Sequence, residues 1–147
     1  TRKDFMGSFE CCFYGWKEGA AHYFNPSINN ARDLWHVKKV NPQSMIHLTQ
    51  KPTKLAALAM EYSSRQGENV LDLFGGSGST LIAAEEMGRV SFLMEIDTLY
   101  CDVILERFFS HTKIDPVRES DGMKWSELRL PVPEVVDPCS ANAASSD

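Results

Sequence analysis

Residues 70–97 read VLDLFGGSGSTLIAAEEMGRVSFLMEID. Residues 69–74 are a short apolar run rich in strand formers, bounded by Gly67 and by the Gly75-Gly76 pair. Residues 79–87 follow helical spacing, with Leu81, Ile82, Ala84 and Met87 available to pack and Gly88 placed to end the helix. Residues 90–94 are a second buried-strand run, and Glu95 and Asp97 stand where it ends. This order predicts an α/β protein with a Rossmann-like, partial doubly wound and mostly parallel sheet. Gly76 and Gly78 let the backbone turn tightly and approach a ligand, which a Cβ would block. Ligands of open α/β sheets bind at the carboxyl ends of strands, so the glycines and the acids are expected to line one crevice.

A carboxylate at that point can accept both hydroxyls of a ribose, which suits an adenosine-containing cofactor. The dinucleotide fingerprint G-x-G-x-x-G places Leu81 where its third glycine belongs. Asp72 sets a negative charge before the turn, unfavourable for a pyrophosphate and suited to an ammonium group. A cationic amino-acid moiety beside a ribose describes S-adenosylmethionine better than NAD. Glycine turns also close many structural strand–helix connections with no ligand. The acid about 20 residues further on, at the end of a strand, favours a binding site.

The stretch from Asp72 to Thr80, D-L-F-G-G-S-G-S-T, resembles the cofactor loop of amino-methylating DNA methyltransferases, whose form is D-x-F-x-G-x-G-T or a close variant. Residues 47–52, H-L-T-Q-K-P, resemble the H-x-T-Q-K-P segment of that family, and Met94-Glu-Ile-Asp97 with Tyr100 resembles its ribose-binding segment. The lysine–proline segment before the glycine loop is the permuted order, with the catalytic half first. The resemblance covers residues 9–109 and is dense over 47–107. It implies a methyltransferase fold, S-adenosylmethionine as cofactor, double-stranded DNA as partner, and methyl transfer to adenine N6 or cytosine N4. Carried over position by position, it implies cofactor contacts from Thr49, Lys51, Asp72, Phe74, Gly76, Gly78, Ser79, Thr80, Glu95 and Asp97.

Pro52 fits the first turn of a helix, where its missing N–H costs nothing. Leu55, Leu58, Ala59 and Tyr62 then follow helical spacing and predict a buried face. Residues 47–51 therefore enter a helix beside the cofactor strand. Thr49 and the backbone there can donate to a carboxylate, and Lys51 can add charge. Lys51 also reads as a solvated lysine at a helix start, and His47 as satisfying a loop hydrogen bond. Residues 9–19 read as a strand and a glycine turn, similar to an H-E-x-x-L-Y-G-W segment near the family's target-base pocket, with Phe9 in place of the histidine. Tyr14 and Trp16 can stack on an extruded base, or pack into a core or sheet. Beyond Asp97, a good N-cap, Tyr100, Ile104 and Phe108 share a helical face. After Asp115 the pattern dissolves, apart from a short turn over residues 124–128, and residues 130–147 read as a mobile tail.

The family's catalytic motif is an acid or amide followed by Pro-Pro and an aromatic. No adjacent prolines occur in these 147 residues, and Pro26 and Pro42 are followed by Ser27 and Gln43. No catalytic residue is assigned, and the chain, which begins with Thr, is expected to be the cofactor-binding portion of a larger enzyme. The alternative is a non-catalytic remnant or subunit that needs a partner. A homodimer and a missing N-terminal half are the two assemblies considered. Three segments are expected: 1–46 from the target-base side, 47–112 as the cofactor-binding core, and 113–147 as an extension.

With 43% apolar residues the chain can build a core, and no run approaches the ~20 apolar residues of a membrane span. Cys11, Cys12, Cys101 and Cys139 lack metal-ligand spacing and are expected as reduced thiols in the cytoplasm. A net charge of −5 argues against a strongly basic nucleic-acid binder, although a DNA-facing surface can be locally basic.

Overall fold

The structure is a computed structural model that describes residues 9–39 and 51–129; the expectations for His47, Thr49, Pro42 and the 130–147 tail lie outside them. Helix α1 (Thr53–Ser63) leads into strand β1 (Asn69–Asp72), helix α2 (Ser79–Glu86) and strand β2 (Val90–Leu93). Helix α3 (Thr98–Thr112) and a short α4 (Trp125–Leu128) follow. Strands β1 and β2 pair in parallel, with Asn69 opposite Val90 and Asp72 opposite Leu93. The predicted βαβ unit is therefore formed.

Both strands are shorter than expected, and the cause is local. The Phe74 N–H is taken by the Asp72 side chain at 3.0 Å, so the chain turns out of the ladder after Asp72. The end of β2 stays tied to the turn, because Met94 N–H donates to Asp72 O and Gly75 N–H donates to Met94 O.

Among the described residues the main core cluster is Met60, Ala83 and Ala84, with Ala56, Ala57, Val70 and Met87 packed around them. Of the face expected for α1, Leu55, Leu58 and Tyr62 are half-buried, whereas Ala59 is exposed and Met60 is the most enclosed residue of the helix. Residues 55–60 are six consecutive apolar positions, so periodicity marks the face only in part. Tyr62 does pack, against the rings of Phe24 at 5.8 Å and Trp35 at 5.5 Å. Asn25 completes that attachment by donating from its backbone N–H to Tyr62 O and from Nδ2 to Glu61 O. These are last-turn carbonyls of α1, which have no partner within the helix.

Residues 90–94 were expected to be buried, yet one sheet face is bare among the described residues. Leu71 is 65% exposed and its register partner Phe92 is 53% exposed. Only the Val70 side of the sheet meets the helices. Residues 9–19 do not form the expected strand, because no strand among the described residues runs beside them to complete a ladder. The glycine turn is present, with Gly19 at φ +75° and Ala20 N–H donating to Lys17 O. No helix of the described residues is long and apolar enough to cross a membrane.

The segment after Asp115 is more ordered than its composition suggested. Val117 bridges Lys124, and Trp125 is buried, donating from its indole N–H to Glu106 on α3 at 2.9 Å. Arg129 also reaches Glu106, at 3.1 Å. The Trp125 indole, then Arg129 and Ser110, hold the Glu106 carboxyl below its usual range. A depressed folded-state pKa stabilises above the unfolded pKa and is lost as pH falls through the folded value. Acidification through the carboxylate range should therefore release the segment around Trp125. Trp125 fluorescence in a Trp16→Phe, Trp35→Phe background reads this out, and Glu106→Gln should remove that part of the pH dependence.

Candidate ligand crevice at the strand ends

Three backbone N–H groups converge on one carboxylate. Glu95 Oε2 accepts from Gly76 N–H at 2.7 Å, and Oε1 accepts from Ile96 N–H at 2.9 Å and Asp97 N–H at 3.0 Å. The end of β2 is thereby joined to the glycine turn that follows β1. On the other side of the turn, Asp72 Oδ2 accepts from the Thr80 hydroxyl at 2.6 Å. Two acids at adjacent strand ends thus bracket the turn between them, as expected from their positions.

The turn has little freedom to accept side chains. A Cβ on Gly75 would lie 3.2 Å from Ile104 Cδ1, 3.3 Å from Leu93 Cδ2 and 3.3 Å from Met94 O. Gly78 has φ +76°, and its Cβ would lie 3.2 Å from Ile104 Cγ2. Gly78 is also the N-cap of α2, so Ser79 and Thr80 open that helix. The Phe74 ring, just before the turn, is almost fully exposed.

Asp97 serves α3 directly, accepting from Leu99 N–H at 2.9 Å as the N-cap. Lys51 forms an ion pair with Glu10 of the N-terminal arm. That contact, first through its hydrogen bond and then through charge, holds the Glu10 carboxyl below its usual range. Among the described residues no hydrogen bond joins Lys51 to the Asp72–Glu95 group. Thr49 lies outside the described residues. No group of three or more His, Cys, Asp or Glu among the described residues could hold a metal ion.

Sequence reasoning missed Gly75 as a packing position, Ser77 and Arg107. Ser77 is buried at 5% exposure, and Arg107 Nη1 donates to its carbonyl at 2.6 Å and its hydroxyl at 3.1 Å. The only signal available was the i, i+3 spacing of Ile104 and Arg107, which puts both on one face of α3.

The family model of the N6/N4 enzymes, described as DNA methylase, matches residues 14–106. The chain belongs to that family. It is 35% identical over 81 residues to the type II methyltransferase M1.MboII of Moraxella bovis, covering 50% of this chain and 31% of that one. It is 30% identical over 98 residues to M2.DpnII of Streptococcus pneumoniae, covering 60% of this chain and 37% of that one. The chain thus spans about a third of the length of these curated relatives. Among solved structures it resembles the M1.HpyAVI–SAM complex, with a TM-score of 0.55 and 26% identity over 63% of this chain and 46% of that one. The fold is that of the S-adenosylmethionine-dependent methyltransferases, as the sequence predicted.

Gly78→Ala should destabilise the chain by about 1–2 kcal/mol through its left-handed backbone alone, with added crowding against Ile104. Urea denaturation measures this, and Ile104→Val in the same chain should recover only the crowding part.

Proposed function

We propose that this chain is the cofactor-binding portion of an S-adenosylmethionine-dependent DNA methyltransferase acting on adenine N6 or cytosine N4. The observation that carries the reading is the pair Asp72 and Glu95, held on either side of a turn built from Gly75, Gly76 and Gly78. S-adenosylmethionine would supply an activated methyl group there. Its charge pattern fits these residues better than that of a dinucleotide. Glu95, oriented by backbone N–H groups, would receive the ribose, while Asp72 favours an ammonium group and opposes a pyrophosphate. Gly76, Gly78, Ser79 and Thr80 would form the wall beside the amino-acid moiety, with Phe74 at the edge. Thr49 and Lys51 would close over its carboxylate, which requires Lys51 to exchange Glu10 for the ligand. Asp97 would act mainly by capping α3.

Double-stranded DNA is the proposed substrate and the cytoplasm the proposed place of action. The Pro-Pro-aromatic motif expected for catalysis does not occur in these 147 residues. Methyl transfer would therefore draw on polypeptide outside this sequence, placed before the cofactor segments in the permuted order. The same observation supports a second reading, a cofactor- or DNA-binding subunit that needs a partner for activity. A second copy of the chain or a complementary polypeptide would then cover the bare sheet face.

Calorimetric titration with S-adenosylmethionine and S-adenosylhomocysteine, with NAD as control, tests the assignment. Saturable binding of the first two alone is expected, and binding of NAD alone would overturn it. Asp72→Ala and Glu95→Ala should each weaken S-adenosylmethionine binding more than tenfold, about 1.4 kcal/mol or more. Unchanged affinity in both folded variants would sink the site.

A further inference from the structure

We propose that Arg107 is a positioning residue for cofactor capture, which grips the glycine turn from α3 and holds it in the conformation that receives the ligand. The inference rests on the reading of the crevice given above, and extends it to a residue outside the expected site.

Ser77 sits at the apex of the turn and is buried, so its carbonyl and hydroxyl need donors that water cannot supply. Arg107 Nη1 supplies both. A guanidinium keeps its charge at any ordinary pH, so this donor does not titrate away. Burial presses its pKa below the usual guanidinium value. Among the described residues its hydrogen bonds go to Ser77 alone, which couples the cost of partly burying the cation to the turn.

The grip has a specific geometric effect. The peptide linking Ser77 to Gly78 is held at both ends, its carbonyl by Arg107 and its N–H by Gly75 O at 2.8 Å. The peptide linking Gly75 to Gly76 is also held at both ends, its carbonyl by Gly78 N–H and its N–H by Glu95. Arg107 thus completes a chain of contacts that runs through the turn to the carboxylate proposed for the ribose. Glycines populate both signs of φ readily, so an unheld turn would spread over many conformations. Ordering it upon binding would then subtract from affinity, a loss that pre-organisation avoids.

The test compares Arg107→Ala and Arg107→Lys with Arg129→Ala, which disturbs the Glu106 contact on the same helix without touching the turn. Hydrogen exchange of the amides of residues 75–80 is measured without ligand, and S-adenosylmethionine affinity by calorimetry. In Arg107→Ala, exchange should quicken in the turn and affinity fall by about tenfold or more. Added guanidinium, below denaturing concentration, should restore both in part. Arg107→Lys should lie between wild type and Arg107→Ala. Arg129→Ala should lower thermal stability while leaving turn exchange and affinity unchanged. Unaltered turn exchange in a folded Arg107→Ala chain overturns the proposal, as does lost affinity that guanidinium does not restore. Faster turn exchange in a chain whose wild type binds no S-adenosylmethionine would overturn the cofactor reading and leave the clamp standing.

Discussion

Ile104 sets the constraint on which the crevice depends. Its side chain occupies the space that a Cβ on Gly75 or on Gly78 would need, so the turn can lie against α3 only without side chains there. That contact brings the start of α2 and the end of β1 close to α3. It also leaves Ser77 buried, within reach of Arg107 three residues further along the same helix. The polar contacts then complete what the packing begins. Glu95 joins the turn to β2, and Asp72 joins β1 to Thr80 at the start of α2.

Around this centre the chain is held by contacts at the end of α1 and along α3. Asn25 occupies carbonyls in the last turn of α1, and Arg89 donates to Ser64 O at 2.8 Å and Met87 O at 2.6 Å. Arg89 thereby ties the exit of α1 to the connection between α2 and β2. Glu106 does the equivalent on α3, receiving Trp125 and Arg129. Asn25 and Arg89 satisfy carbonyls that a helix end leaves unpaired, while Glu106 ties side chains of the following segment to α3.

The parts legible in the sequence are those decided within a few residues. The βαβ order, the Gly88 stop and the Asp97 cap all follow from short-range signals, and each is present in the structure. The face of α1 was legible only in part, with Ala59 expected inside and Met60 missed, because an unbroken apolar run carries little phase. The strand expected over residues 9–19 failed because a strand is defined by its neighbour. Trp125 lies 19 positions from Glu106, and Arg107 lies 30 from Ser77. Neither pair has a local signature, so the order after Asp115 and the clamp on the turn emerge only in three dimensions. The positions of Asp72, Glu95 and the glycines around the turn were legible because strand ends and turns are marked locally. Lys51 shows the limit of that logic, since its observed partner is Glu10 in an arm that periodicity could not place.

The sheet face left bare among the described residues has a further consequence for colloidal behaviour. Leu71 and Phe92 lie side by side on it, and both β1 and β2 are edge strands among the described residues. An uncovered apolar surface flanked by unpaired backbone groups is a template for association with any extended chain. Parallel sheets escape this elsewhere by carrying helices on both sides. In dilute solution the chain on its own would thus favour mild detergents and low temperature, since hydrophobic association weakens on cooling.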